Sequence, residues 1–145
     1  MTQLSKHFSL EELTRSATAI RYNIENTPDA QAIDNLRHLC QQTLEPLRCR
    51  FGVLRITSGF RSEALNQKIG GHPHSQHLIG CAADIQLSTL DEGRKIMAFA
   101  QQYVPFDQCI LEHNLTTTAR WLHISLRPDG QEQRRETFFQ RIKRP

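Results

Sequence analysis

Two short stretches limit what this chain can fold into more than any other feature. In "GCAADIQL", Cys81, Ala83, Ile85 and Leu87 alternate with Ala82, Asp84 and Gln86. In "ARWLHISLR", Leu122, Ile124 and Leu126 alternate with Trp121, His123 and Ser125. A period of two is the signature of a strand with one covered face. Each stretch also carries one ionisable residue in mid-strand: Asp84 between Ala83 and Ile85, and His123 between Leu122 and Ile124. A carboxylate on a covered face is costly unless a cation or hydrogen-bond donors meet it. The two strands therefore belong side by side, with their polar residues on one face.

Helical patterns fill the spaces between strands. Ser9 and Glu12 in "FSLEEL" form a capping-box start. Ile33, Leu36, Cys40, Thr43, Leu44 and Leu47 fall at helical spacing and make one apolar face, on a helix expected to end near Gly52. "VLRITSGF" reads as a strand, and "RSEALNQKI" as a helix stopped by Gly70 and Gly71. Thr89 and Glu92 cap a further helix that offers Ile96, Met97, Phe99 and Ala100 for packing, and "FDQCILE" is another strand. Helices with a small antiparallel sheet give an α+β fold, and 145 residues suffice for one domain with its own core, spanning 1–145.

Composition narrows the function classes. No run is long enough to span a bilayer, and "MTQLSKHFSLEEL" lacks a basic-then-apolar signal segment. The expected product is a soluble monomer made in a reducing cytoplasm. Cys40, Cys49, Cys81 and Cys109 lack C-x-x-C spacing, and three of them sit among apolar neighbours. Arg134, Arg135, Arg141, Lys143 and Arg144 make a basic C-terminal tail, about residues 130–145, read as a solvated helix or tail. Its other reading is a weak grip on a polyanion such as teichoic acid. Little aromatic interleaving supports nucleic acid as a partner.

"GGHPHSQH", just before the Asp84 strand, brings His72, His74 and His77 into one turn. His77, Asp84 and His123 make a two-histidine, one-carboxylate set that suits Zn²⁺ and leaves a fourth position for water. By spacing alone, a strand histidine is more often a hydrogen-bonded core residue than a ligand.

The order of motifs goes further. S-x-H-x-x-G-x-A-x-D is matched by Ser75, His77, Gly80, Ala82 and Asp84, and a later W-x-H by Trp121 and His123. With "FSLEELTRSATA", "SGFRS" and "FDQCILE", the chain resembles the zinc D-alanyl-D-alanine carboxypeptidase family, the M15 peptidases, in its phage-type branch, over residues of about 8 to 126. The resemblance implies a hedgehog/DD-peptidase-like fold with one zinc per chain, held by His77, Asp84 and His123. The metal would polarise a scissile carbonyl and lower the pKa of water. Arg61 matches the family's substrate-facing arginine, able to stabilise an oxyanion or grip a carboxylate. Ser75 and Gln76 would orient His77, with Ser75 and Trp121 also available to the substrate.

Many relatives place a general base at positions occupied here by Arg120 and Trp121, and neither accepts a proton at neutral pH. Glu112 is the first candidate, Asp107 the second, and His72 or His74 the third. The function implied is hydrolysis of D-alanine-containing bonds in peptidoglycan stem peptides or cross-links by a phage or prophage lysin, released through a holin or carried in a virion. The alternatives are a zinc-containing binding module without turnover, or a tail protein reusing the scaffold.

Overall fold

The computed structural model describes residues 2–143. In chain order the elements are α1 (Leu10–Thr14), α2 (Ala17–Arg21), α3 (Ala30–Leu39), α4 (Glu45–Phe51), β1 (Ile56–Ser58), α5 (Glu63–Lys68), β2 (Ala82–Gln86), α6 (Leu90–Tyr103), β3 (Gln108–Asn114), β4 (Arg120–Ser125) and β5 (Glu136–Ile142). They form a mixed α+β fold around one five-stranded sheet of order β1-β2-β4-β3-β5.

The caps read from the sequence form as hydrogen bonds. Ser9 Oγ accepts from the Glu12 amide, and Thr89 Oγ1 accepts from the Glu92 amide. The long helix is interrupted. A π-turn, Cys40–Leu44, joins α3 to α4. Pro46 follows in the first turn of α4; its ring cannot tolerate the carbonyl four residues back in regular α geometry, and a wider turn removes that clash. The apolar face survives: Leu36, Cys40, Thr43, Leu44 and Leu47 are all solvent-inaccessible. The helix ends at Gly52, with φ +85°.

One face of the sheet carries the core. Ala83, Ile85, Cys109, Leu111, Leu122 and Ile124 lie in one buried cluster with Leu36, Leu44, Leu47 and Ile96 from the helices. Burying one such Leu or Ile is worth about 1.5–3 kcal/mol, so Leu122 and Ile124 anchor the strand on which His123 sits. Burial also pushes the Cys81 and Cys109 thiols up to about 12. Cys40, Cys49, Cys81 and Cys109 are all free thiols, and Cys49 alone is exposed.

Two expectations need correction. The sheet is not wholly antiparallel: β1, β2, β4 and β3 pair antiparallel, but β5 pairs parallel with β3 from Gln108↔Glu136 to Asn114↔Ile142. The basic segment contains that fifth strand, with Arg134 and Arg135 just before it and Arg141 within it, rather than forming a solvated helix or tail. Arg134, Arg135 and Arg141 are engaged by the fold while remaining exposed. Arg134 bonds Asp107, while Arg135 donates to the Val104 and Gln101 carbonyls and covers the Phe106 ring. Arg141 stacks over Phe139. Arg144 lies outside the described residues. No helix among the described residues is long and apolar enough to cross a membrane.

Candidate metal centre

The β2–β4 register decides the site. Asp84 pairs directly with His123, and His123 pairs on its other side with Ile110 of β3. The third member arrives from a short 3-10 turn, Gln76–Ile79, immediately before β2. Gly80 ends that turn at φ +78°, and a Cβ there would lie 2.5 Å from the Ala32 carbonyl oxygen. Only glycine both adopts this left-handed backbone and lets α3 approach so closely, and the tight reversal brings His77 next to Asp84.

The three side chains converge. One donor atom from each of His77, Asp84 and His123 lies within 4.8 Å of the others. His77 Nε2 is 3.3 Å from Asp84 Oδ1, and His123 Nδ1 is 3.0 Å from the same oxygen. Ligands in a tetrahedron with bonds of about 2.0–2.1 Å stand roughly 3.3 Å apart, so these separations fit a shared ion. His77 Nδ1–H donates to the Gly59 carbonyl at 2.6 Å, which leaves Nε2 as the lone-pair nitrogen. Nε2 is buried and has no hydrogen-bond partner, although it faces Asp84 Oδ1. A lone pair against a carboxylate oxygen is unfavourable unless a proton or a cation lies between them. Burial drives the His77 pKa down despite Asp84, which disfavours the proton. The donor set therefore fits a metal. For Asp84, burial would raise the pKa, but the contacts with His77 and His123 outweigh it and hold the carboxyl far below the usual range.

The surroundings divide the Asp84 carboxylate between two tasks. Oδ1 faces the histidines, while Oδ2 accepts from Arg61 Nη2 at 3.3 Å. Arg61 also donates through Nε to Ser58 Oγ and through Nη1 to Asn66 Oδ1. The family resemblance puts this guanidinium against substrate; it lines the cleft, and these three donors are directed at protein acceptors, one of them Asp84 itself. Buried Asn66 donates in turn to the His72 carbonyl at 2.9 Å. A Cβ on Gly71 would come within 2.0 Å of Asn66 Oδ1, so glycine is needed for this approach. No residue-type signal marked Asn66 or the Gly59 carbonyl: one looks like an ordinary helix polar residue, and the other is backbone.

Ser75 Oγ accepts from the His77 amide and caps its turn. The Gln76 side chain does not reach His77; it donates to Asp107 Oδ2 at 3.0 Å. Asp107 is fully buried, and its oxygens also receive Arg134 and Arg127, so the structure removes it from the cleft and from contention as a base. It instead ties the Gln76 turn to the segment leading into β5. His72 Nδ1 accepts from the His74 amide at 3.0 Å, so in the neutral ring the proton is on Nε2 and no lone pair remains for base work.

A cleft of about 200 Å³ opens over the three residues, lined also by Arg61, His72, Ser75, Ile110, Glu112, Trp121 and Ile142. Glu112 and Trp121 are register partners, one step along the same face from the Ile110–His123–Asp84 row. A larger cavity of about 650 Å³ lies elsewhere, bordered by Thr27, Phe60, Ile79 and Pro128. It meets the cleft only at Arg61 and contains none of the three convergent residues, so size does not identify the reactive centre.

Asp107 yields a pH prediction. Burial raises its pKa, but hydrogen bonds from Arg134 and Gln76 more than offset this and lower it. A carboxyl whose folded pKa lies below its unfolded value, about 3.9, contributes stability that is complete above that value. The contribution is lost as pH falls through the folded pKa. Asp107→Asn is expected to cost about 2 kcal/mol near neutral pH, a buried-pair loss discounted for the partial exposure of the arginines. It should also flatten the stability loss below about pH 4. Urea unfolding across pH 2–7 checks this; parallel curves for both proteins would contradict it.

The Peptidase M15 family model matches residues 6–125. No curated protein gives a significant match to the chain.

Proposed function

Because the chain belongs to the M15 peptidases, a family of zinc-dependent metallopeptidases, we propose that it hydrolyses D-alanine-containing peptide bonds in peptidoglycan stem peptides or cross-links. The observation that carries this reading is the His77–Asp84–His123 cluster, with its orphaned buried nitrogen, at the base of an open cleft. In this reading His77, Asp84 and His123 hold one Zn²⁺, which supplies Lewis acidity to polarise a carbonyl and acidify water.

The protein's own groups do the rest. The Gly59 carbonyl fixes the His77 ring, and Arg61 holds Asp84 Oδ2 so that Oδ1 stays turned to the histidines. The Arg61 charge also lies beside the cleft, where negative charge develops on the attacked carbonyl oxygen. Glu112 is the base: it lines the cleft, stands one register step from the ligand row, and is the only carboxylate there besides Asp84 among the described residues. It takes the proton from the attacking water and returns it to the leaving amine. Trp121 and Ser75 border the path of the peptide. The biological setting is cell-wall lysis by a phage-type enzyme acting as a monomer after release.

The test pairs elemental analysis of protein purified without added metal with mass spectrometry of digested peptidoglycan. One zinc per chain with released D-alanine or new amino termini is the expected result. One zinc with no cleavage would replace the peptidase with a zinc-containing binding module. No zinc would remove the central premise.

A further inference from the structure

The face that carries the three convergent residues does not end at the cleft. One register step from the Asp84↔His123 pair along β2 and β4, Gln86 pairs with Trp121. These two border a second groove of about 590 Å³, which shares Asp84 and Trp121 with the 200 Å³ cleft. The cleft alone is smaller than the roughly 300–1,000 Å³ typical of ligand sites, whereas the two together fall within that range.

We propose that this groove is a subsite for the substrate backbone about two residues from the bond that is cut, so that the substrate is an extended oligopeptide and not a free dipeptide. The inference rests on the peptidase reading above. One register step is two residues, or about 6.6–6.8 Å along a strand, and an extended substrate chain covers the same distance with two residues.

The groove chemistry matches an uncharged backbone. Gln86 is exposed on this face, and its side-chain amide makes no hydrogen bond among the described residues. It offers one acceptor and two donors, the complement of a peptide unit. Trp121 beside it presents a flat apolar wall with an indole N–H. The nearest cations are engaged with protein: Arg61 donates to Ser58, Asn66 and Asp84, and Arg120, which lines the groove, donates to the Ser88 carbonyl. Uncharged amide recognition thus dominates this stretch. Thr118, in the β3–β4 hairpin loop, also lines the groove and has φ +64°, a conformation that costs a β-branched residue energy.

The experiment uses zinc-loaded protein and two series of synthetic peptides built on D-alanyl-D-alanine, one lengthened at its amino side and one at its carboxyl side. In one series kcat/KM is expected to rise about tenfold when the second added residue reaches the groove, as a good hydrogen bond to neutral groups allows. Gln86→Ala should abolish that rise, and Gln86→Asn should restore part of it. A flat profile in both series, or a rise retained in Gln86→Ala, overturns the subsite.

Binding is read separately from turnover, because Trp121 is the only tryptophan in the chain. Because Trp121 borders both the cleft and the groove, its emission in the Glu112→Gln protein is expected to shift more with the longer peptide than with the dipeptide, and adding Gln86→Ala should remove that difference. Equal responses to both, or none to either, overturn the subsite. Wild-type protein that binds the longer peptide but cuts nothing would overturn the peptidase reading while leaving the groove assignment standing.

Discussion

Exchanging Glu112 for glutamine is expected to cut peptide hydrolysis by about 10²–10⁴-fold while zinc content stays at the wild-type level. Glutamine keeps the shape of the side chain but has no basic oxygen able to accept a proton at neutral pH. The prediction follows from placement. Glu112 pairs with Trp121, and both stand one step from the row formed by Ile110, His123 and Asp84. That places a carboxylate over the cleft without making it a fourth member of the convergent cluster. The other candidates are poorly situated: Asp107 is enclosed by Arg134, Arg127 and Gln76, and His72 Nδ1 already accepts a backbone amide. Steady-state kinetics with metal analysis on the same sample decides the matter. A Glu112→Gln enzyme within a factor of a few of wild type would mean that the proton goes elsewhere.

His77→Ala is expected to take bound zinc from one per chain to near zero and to abolish activity. The alternative is a histidine that merely packs, held by the Gly59 carbonyl. Heat separates the two. A ligand bound only to the folded state, present at 1,000 times its dissociation constant, adds about 4 kcal/mol of stability. A chelator should therefore lower the wild-type Tm by several degrees and leave that of the His77→Ala protein unchanged. If the chelator leaves the wild-type Tm where it was, or shifts both proteins equally, His77 is not holding a metal that matters to the fold.

How much of this was legible beforehand depended on the range of the forces involved. The caps at Ser9 and Thr89, the apolar face from Leu36 to Leu47, and the alternation in β2 and β4 are local. Each reflects a hydrogen bond within three residues or the 3.6- and 2-residue periods of the backbone, and so can be read along the chain. The same periodicity placed Asp84 and His123 in mid-strand, where an ionisable group has to be explained. Arg61 was legible as a member of a motif, but its principal contacts were not. Its partners Ser58 and Asn66 look like any polar residues, and Asp84 lies 23 positions away.

The amino-acid sequence by itself determined most of the helices and the strands β1 to β4, the caps at Ser9 and Thr89, and the residue types able to ligate a metal. Only the tertiary structure decided which of them meet. The β2–β4 register sets Asp84 opposite His123, the left-handed turn at Gly80 brings His77 against both, and Asp107 is drawn inward to Arg127 and Arg134. β5 shows the limit most plainly. "ETFFQRI" lies at a sheet edge, partly exposed on both faces, so it carries no period-two signal, and its parallel pairing with β3 depends on a crossover. The basic residues just before it, Arg134 and Arg135, looked solvated because their partners, Asp107, the Val104 carbonyl and the Phe106 ring, are about thirty positions distant. Burial energy and strand pairing act across such separations without leaving a mark in the local pattern, because they depend on which surfaces the folded chain brings together.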